Sequence, residues 1–544
     1  MLSFKDLNAH PLLVEHSEEF NKPEVIHVTD GVYVAIGFGI ANSVLIEGDD
    51  GVIIVDTLGS AEAAREVKAE FDKITSKPVK AIIYTHNHGD HIFGARVFAG
   101  EDNPDVYSHE TTVYYVNRIF NVLRPVIGSR SMRQFGTYLH EGGLVNVGIG
   151  PFLESKRGST FAFMRPTKTF SDRLEVEIAG VKLELIHAPG ETNDHIYVSM
   201  PEKKCVISAD NIYKTFPNLY AIRGTTYRDV MKWVNSLDIL RALRPDYLVP
   251  CHTQPIIGAD EIYAHLTDYR DAIQYIHDQT VRGMNQGLTP DEIVEQVELP
   301  PHLAQSRYLR EHYGTIAWSV RTIFDGYVGW FSGNPTDLDP LPRMARAKRT
   351  AKLAGGVENL RQQARDAVAE EEYQWALELT DHLLQLNRDD NESRQLRIQA
   401  LVALGERHIS PCGRNYYLMS AQELDGFSIP PLHLSVSLAR SVPLSAIFQT
   451  LSIRLNPEKS AKVNMCVGFR FTDTGQAYTA HVRHGVAEIQ PTFPPAPDVS
   501  ITVDAPIWKE IAAGVRNPME AFASGLIKIE GNIALMPQFL SLFR

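Results

Sequence analysis

An α/β fold is predicted, two mixed sheets stacked as a sandwich with helices on the outer faces, and three observations predict it. Short apolar runs separated by glycine and Gly-Asp-Asp-Gly turn chemistry occupy residues 32–56 (VYVAIGF, ANSVLIEGDDGVIIVD), the pattern of hairpin-connected strands. The stretch 60–76 (SAEAAREVKAEFDKITS) places Ala63, Val67, Phe71 and Ile74 at helical spacing and leads into another strand-like run. A second strand set, LEVEIAG, VKLELIHAPG, DHIYVSMP and KKCVISADN, fills residues 174–211. Strands, a helix, then strands and helices again is the order of a layered core covered by helices.

Composition narrows the function. At 544 residues the chain is too long for one core, and typical domain sizes give about three or four domains. With 44% hydrophobic and 22% charged residues it has the make-up of an ordinary soluble protein. No apolar run approaches the roughly 20 residues that span a bilayer, so no transmembrane segment is expected. The net charge of −13 and the absence of a Lys/Arg cluster argue against a nucleic-acid partner. An anionic small molecule stays admissible, because metals and one or two arginines can set the local field. Cys205, Cys251, Cys412 and Cys466 form neither a CxxC nor a zinc-ribbon pattern and read as buried thiols. The start, MLSFKDLNAHPLLVEHSEEF, shows no basic region followed by an apolar one. A cytoplasmic protein is expected, or a periplasmic or secreted one where an export signal has been removed.

Taken in order, residues 1 to 30 read as a polar arm, and Asp56 closes the last strand of the first set. The run 81–95 (AIIYTHNHGDHIFGA) then carries four metal-capable side chains just past a strand end. In an extended segment His86 and His88 point the same way and can grip one cation from one side. Asp90 and His91 fall where the chain turns at Gly89, and can reach a second cation beside the first. Imidazole with carboxylate selects zinc, iron or manganese over magnesium or calcium. A helical stretch from Thr111 to Leu139 follows, with the basic cluster Arg124, Arg130 and Arg133. Three later strand ends carry further ligand types: Glu191 in HAPGETND, Asp210 in ISADN and His252 in YLVPCHTQP. Each alone reads as a cap or turn former; together they supply the second half of a two-metal site.

This ordered set resembles that of the metallo-β-lactamase superfamily, with its αββα sandwich, and Asp56 matches a conserved Asp that supports the ligands there. The carboxylate Glu191, where glyoxalase II-type hydrolases carry a histidine, is closer to the zinc-dependent type III alkylsulfatases. FPNLYAIRG with YRD and KW at 216–233 resembles the segment in which that family binds sulfate, and YGTIAWSVRTIFDGYVGWFSGNPTDL at 313–338 resembles its Tyr-Gly, Trp-x-Val-Arg and Gly-Trp-Phe-x-Gly-Asn-Pro block. The resemblance implies one Zn2+ on His86, His88 and Glu191, a second on Asp90, His91 and His252, and Asp210 between them, where known alkylsulfatases usually have glutamate. Two cations side by side would acidify a water and neutralise an anionic ester. Arg223 is expected to hold the sulfate oxygens in a bidentate fork and Asn218 to donate an amide hydrogen bond, with Arg228 and Arg133 as weaker candidates for substrate contact. Attack on sulfur and attack on carbon are both compatible with these residues.

The resemblance divides the chain into a catalytic domain at 1–340, a helical dimerisation domain at 341–418 and an α+β domain similar to sterol carrier protein type 2 at 419–544. Between Gly355 and Glu406 apolar and alanine positions recur at helical spacing, broken by Asn-Arg-Asp-Asp-Asn. Ala364, Ala367, Tyr373, Trp375, Ala376, Leu379 and Leu383 are expected to form one packing face, in a tetratricopeptide-like hairpin that makes a homodimer. The last region opens with LHLSVSLA and AIFQTLSIRL and continues with alternating strands, and the sterol-carrier resemblance implies an apolar tunnel for the tail of an amphiphilic sulfate ester. Two other readings compete. One is a hydrolase of the same fold acting on a lactone, thioester or other ester; the other is a non-catalytic lipid binder.

Overall fold

The structure, a computed structural model, describes residues 7–156, 158–430, 440 and 442–543. It contains two compact units, one of Met1–Thr112 with Ile127–Pro431 and one of Val113–Val126 with Leu432–Arg544. In the first unit seven strands form one sheet: β1 Glu24–Thr29, β2 Val32–Ile36, β3 Ser43–Glu47, β4 Val52–Val55, β5 Val79–Ile83, β6 Asp105–His109 and β7 Lys168–Phe170, hydrogen-bonded in that order. β1 to β4 form an antiparallel meander and β4 to β7 run parallel. The second sheet holds β8 Arg173–Ile178, β9 Val181–His187, β10 Ile196–Met200, β11 Cys205–Ala209, β12 Tyr247–Pro250 and β13 Ile256–Ile257 in the order 13-12-11-10-9-8. All its neighbours are antiparallel except β11 and β12.

The layering follows from which side chains alternate. Val34, Val44, Ile53, Val55 and Ile83 of the first sheet meet Leu183, Leu185, Ile196, Val198, Ile207 and Val249 of the second in one buried cluster. Tyr197, Val206 and Leu248, the intervening residues, face the other way and bury Trp233, Leu237, Ile273, Ile276 and Ile323 of the covering helices Val230–Leu243, Ala259–Asn285 and Ile316–Val328. Period-2 alternation thus feeds two cores from one sheet, each fully buried aliphatic contributing roughly 1.5–3 kcal/mol. The expected polar arm proves to be structured. Pro11–His16 is helical and EVIHVT forms β1, an edge strand whose exposed and half-buried residues give no clean alternation to read.

Helices Arg343–Leu353, Val357–Ala369, Tyr373–Leu386, Asn391–Arg407 and Pro411–Leu424 bury a common core, and the predicted break at residues 387–391 separates the third from the fourth. Ala364, Ala367, Ala376, Leu379 and Leu383 face it as expected, and Tyr373 lies at its margin. Trp375 does not: it points outward, 46% exposed. The last of these helices is tied to the loop after Gln134, since the fully buried Arg414 donates to Gly143 O at 2.6 Å and Gln422 to Tyr138 O at 2.7 Å.

The second unit is α+β. Its sheet runs β16-β15-β14-β17-β18, with β14 Asn464–Phe471, β15 Ala477–Arg483, β16 Val486–Gln490, β17 Val499–Val503 and β18 Ile527–Gly531. Phe448, Phe469, Phe471, Tyr478, Trp508 and Phe539 pack ring against ring at centroid distances from 4.2 to 6.2 Å between this sheet and its helices. The run AIFQTLSIRL is helical over Leu444–Ile453, whereas LHLSVSLA lies outside the described residues. Among the described residues no helix is long and apolar enough to cross a membrane.

Candidate metal centre

The ligand-type residues of four separate strand ends meet at one edge of the sandwich. His86, His88, Glu191 and Asp210 each offer a donor atom within 4.8 Å of the others, and so do Asp90, His91 and His252. In the first group His86 Nε2 stands 2.9 Å from His88 Nδ1, and Glu191 Oε2 stands 3.6 Å from His88 Nδ1. In the second, His91 Nε2 is 3.3 Å and His252 Nε2 3.8 Å from Asp90 Oδ2. Asp210 Oδ2 reaches both, at 3.5 Å from His86 Nε2, 3.3 Å from His91 Nε2 and 3.0 Å from His252 Nε2. Donor atoms about 3.3 Å apart are what a tetrahedral ion with bonds of about 2.0–2.1 Å requires. His91 Nε2, Glu191 Oε2 and Asp210 Oδ1 are buried and make no hydrogen bond. Orphaned donors and acceptors converging on one point fit a dinuclear metal centre.

The surrounding bonds set the tautomers. Asp56 Oδ2 accepts from His91 Nδ1 at 2.7 Å and from Thr85 Oγ1 at 2.7 Å, and Thr85 Oγ1 lies 3.0 Å from His86 Nδ1. His252 Nδ1 donates to Ile40 O at 2.7 Å. In all three rings Nδ1 carries a proton, so Nε2 is the nitrogen left to a metal. One carboxylate, Asp56, therefore orients a ligand in each group. Glu191 is fixed from behind: its N–H donates to Asn211 Oδ1 at 3.0 Å, and Gly190 is required because a Cβ there would sit 2.2 Å from the same oxygen. Trp233 Nε1 anchors this turn on Asn211 O at 2.9 Å.

Electrostatics keep the carboxylates ionised in a dry place. Burial works against the charge on Asp210, but His252 and His91 outweigh it and hold its carboxyl well below the usual range. Burial likewise opposes the Glu191 charge and Arg228 outweighs it. Burial, with His91 beside it, keeps His86 neutral.

The arginines separate into different roles. Arg223 Nη2 lies 3.2 Å from His88 Nε2, and among the described residues the guanidinium has no carboxylate partner. Arg228, buried, donates through Nη1 to Glu191 Oε1 at 2.8 Å and to Asn218 O, so it secures a ligand, while its Nε and Nη2 are buried without a hydrogen-bond partner. Arg133 is committed to Glu423, with Nε at 3.1 Å and Nη2 at 3.0 Å, and ties two helices together. The Asn218 side chain is buried with both polar atoms unpaired. Two contributors have no sequence signal. His195 Nε2 accepts from Asp210 N–H at 3.0 Å, its ring stacked 5.3 Å from His86 and pushed by burial down to about 3. Glu154, in a stretch without periodicity, is pushed by burial up to about 7 and caps two turns of the site.

Fold and site together define a metallo-β-lactamase-type sandwich with a dinuclear metal centre. The family model described as Metallo-beta-lactamase superfamily matches residues 36–252, alkyl sulfatase dimerisation matches 289–426, and alkyl sulfatase C-terminal matches 433–544. A linear primary-alkylsulfatase from Pseudomonas sp. (strain ATCC 19151) is 40% identical over 92% of this chain and 98% of its own length. An (R)-specific secondary-alkylsulfatase from Pseudomonas sp is 28% identical over 98% of this chain and 82% of its own. Among solved structures, the stereoselective inverting sec-alkylsulfatase Pisa1 from Pseudomonas sp. superposes with a TM-score of 0.92 at 27% identity, covering 99% of this chain and 88% of that one. The chain belongs to the alkylsulfatase family of the metallo-β-lactamase superfamily.

Proposed function

We propose that this protein hydrolyses alkyl sulfate monoesters, dodecyl sulfate-like or secondary, to alcohol and inorganic sulfate at a centre of two zinc ions. One observation carries the substrate class: beside two complete ligand groups stand a guanidinium without a carboxylate partner and a buried amide with both polar atoms free, donors suited to an anionic group with several acceptor oxygens. The names of the relatives support the same reading. Four imidazoles and three carboxylates favour zinc over magnesium or calcium. His86, His88 and Glu191 would hold one ion, Asp90, His91 and His252 the other, with Asp210 between. Bound there, the ions would supply an activated water and offset the ester's charge. The chain's own groups do the rest. Asp56, Thr85 and Ile40 fix three imidazole tautomers, Arg228 keeps Glu191 ionised, and Arg223 and Asn218 orient the sulfate. Exhaustive dialysis against a chelator is expected to abolish sulfate release from dodecyl sulfate, and zinc to restore it. Release that survives complete metal removal would refute the mechanism.

The working form is proposed to be a homodimer. Tyr327, Val328, Trp330, Leu338, Leu341 and Leu353 are exposed within the stretch that matches the dimerisation model, Trp330 at 72% and Leu353 at 90%. Isolated apolar residues are common on surfaces, but seven within 27 positions of one chain segment, Met344 included, support an interface there. Trp330→Asp combined with Leu353→Asp is expected to give a monomer by light scattering where the parent chain is a dimer. An unchanged mass would place the interface elsewhere.

A further inference from the structure

The aperiodic stretch that follows Gln134 contains one buried carboxylate whose bonds lead to the second metal position. Glu154 Oε2 accepts from Ile40 N–H at 3.1 Å and Glu154 Oε1 from Gly59 N–H at 2.6 Å. Ile40 lies in the turn between β2 and β3, and its carbonyl accepts from His252 Nδ1 at 2.7 Å. The same turn clasps the chain around His252: Asn42 N–H donates to Cys251 O at 2.7 Å and Asn42 Nδ2 to Thr253 O at 2.9 Å, where Thr253 has a φ of +63°. Gly59 closes the turn after β4. In that turn Asp56 accepts from His91 Nδ1 at 2.7 Å and Thr57 N–H donates to His91 O at 2.7 Å, with Asp56 and Leu58 at φ of +57° and +66°. Both turns that aim ligands at the second ion therefore close on one side chain.

Local sequence is shaped around this carboxylate. A Cβ on Gly39 would sit 2.8 Å from Glu154 Cδ, and one on Gly59 would sit 2.8 Å from Oε1. Neither glycine has a positive φ, so room for the carboxylate, not backbone freedom, is what they provide. Non-glycine residues held at positive φ are strained and persist only where the surroundings over-determine them.

We propose that Glu154 is a positioning residue for the second metal site, holding through Ile40 and Gly59 the turns that direct His252 Nε2 and His91 Nε2. The inference rests on the dinuclear reading of the centre. Each carboxylate oxygen serves a different N–H, so a glutamine can satisfy one and must turn its NH2 toward the other, donor against donor in a dry place. Of the first group only His86 is reached, at one remove, through Thr85 from Asp56, whereas His91 and His252 are bonded directly by the two clamped turns. Loss of the clamp should weaken the second ion far more than the first.

The test is a zinc titration of the metal-free chain, by equilibrium dialysis with metal analysis, on the parent and on Glu154→Gln, Gly59→Ala and Ser155→Ala. Glu154→Gln is expected to keep the first zinc and bind the second about 10- to 100-fold more weakly. Gly59→Ala pushes on the carboxylate without removing its charge and should give the same selective loss. Ser155→Ala deletes a 2.7 Å bond to the Gly59 carbonyl from the same segment and should leave both affinities unchanged. A merely structural role would lower the melting temperature of the metal-free chain without separating the two affinities. Parent-like binding of both ions in Glu154→Gln and Gly59→Ala, equal weakening of both ions, or failure of both variants to fold would each overturn the proposal. If the parent binds two zinc ions and releases no sulfate from any alkyl ester, the proposed substrate falls while selective loss of one ion still supports the role of Glu154.

Discussion

Replacing Asp210 by Asn is expected to lower kcat/KM for an alkyl sulfate by about a hundred- to several-thousand-fold and to reduce the metal content from two ions to one. Asp210 Oδ2 stands within 3.5 Å of an Nε2 in each ligand group, and its other oxygen is buried without a partner. Asparagine keeps the shape but loses the charge and offers an NH2 where a second donor oxygen is needed. Removing one partner from a buried charge cluster costs about 3–5 kcal/mol, and each 1.4 kcal/mol is a factor of ten. The fold should survive, because the contact that seats this residue is made by its backbone N–H on His195 at 3.0 Å. Asp210→Glu, which restores the charge one methylene further out, should retain far more activity than Asp210→Asn. Metal analysis beside kcat/KM decides it: an Asp210→Asn chain holding two ions at the parent rate would exclude the bridging role.

The core of the centre was legible because its chemistry is local. His-x-His-x-Asp-His needs only a strand, a turn and period-2 geometry to be recognised, and it follows a continuous apolar run that ends buried at Ala81, Ile82 and Ile83. Glu191, Asp210 and His252 were findable because each follows an apolar run at a strand end. What escaped depends on partners distant in the chain. Glu154 acts on Ile40 and Gly59, about a hundred residues away, from a segment with no periodic signal. His195 acts through one ring nitrogen on a backbone amide, which no residue pattern encodes. Arg228 and Arg133 show the converse. Their charge suggested substrate, but burial beside Glu191 in one case and a facing Glu423 in the other give each guanidinium a protein partner. Trp375 illustrates a limit of periodicity, since helical spacing marks a face but not whether the neighbouring helix covers all of it.

Arg223→Ala should lower kcat/KM for an alkyl sulfate by about 100- to 1000-fold while leaving hydrolysis of a neutral ester of similar chain length within a few-fold of the parent. A sulfate monoester presents a negative charge and several acceptor oxygens, and a guanidinium matches them with two parallel N–H donors. In the structure its own polar contacts are Gly224 O at 3.4 Å and His88 Nε2 at 3.2 Å. The second of these holds only while His88 Nε2 is unprotonated. Because His88 Nδ1 is the nitrogen turned toward Glu191 and His86, ligation through Nδ1 puts the proton on Nε2, where it faces a donor and releases the guanidinium. The charge is then free for the substrate. Arg223→Lys should fall between parent and alanine, keeping the charge and losing the fork. Equal losses on sulfate and neutral esters would mean that Arg223 acts through His88 on the metal ligands, and would shift the reading toward a hydrolase of uncharged esters on the same fold.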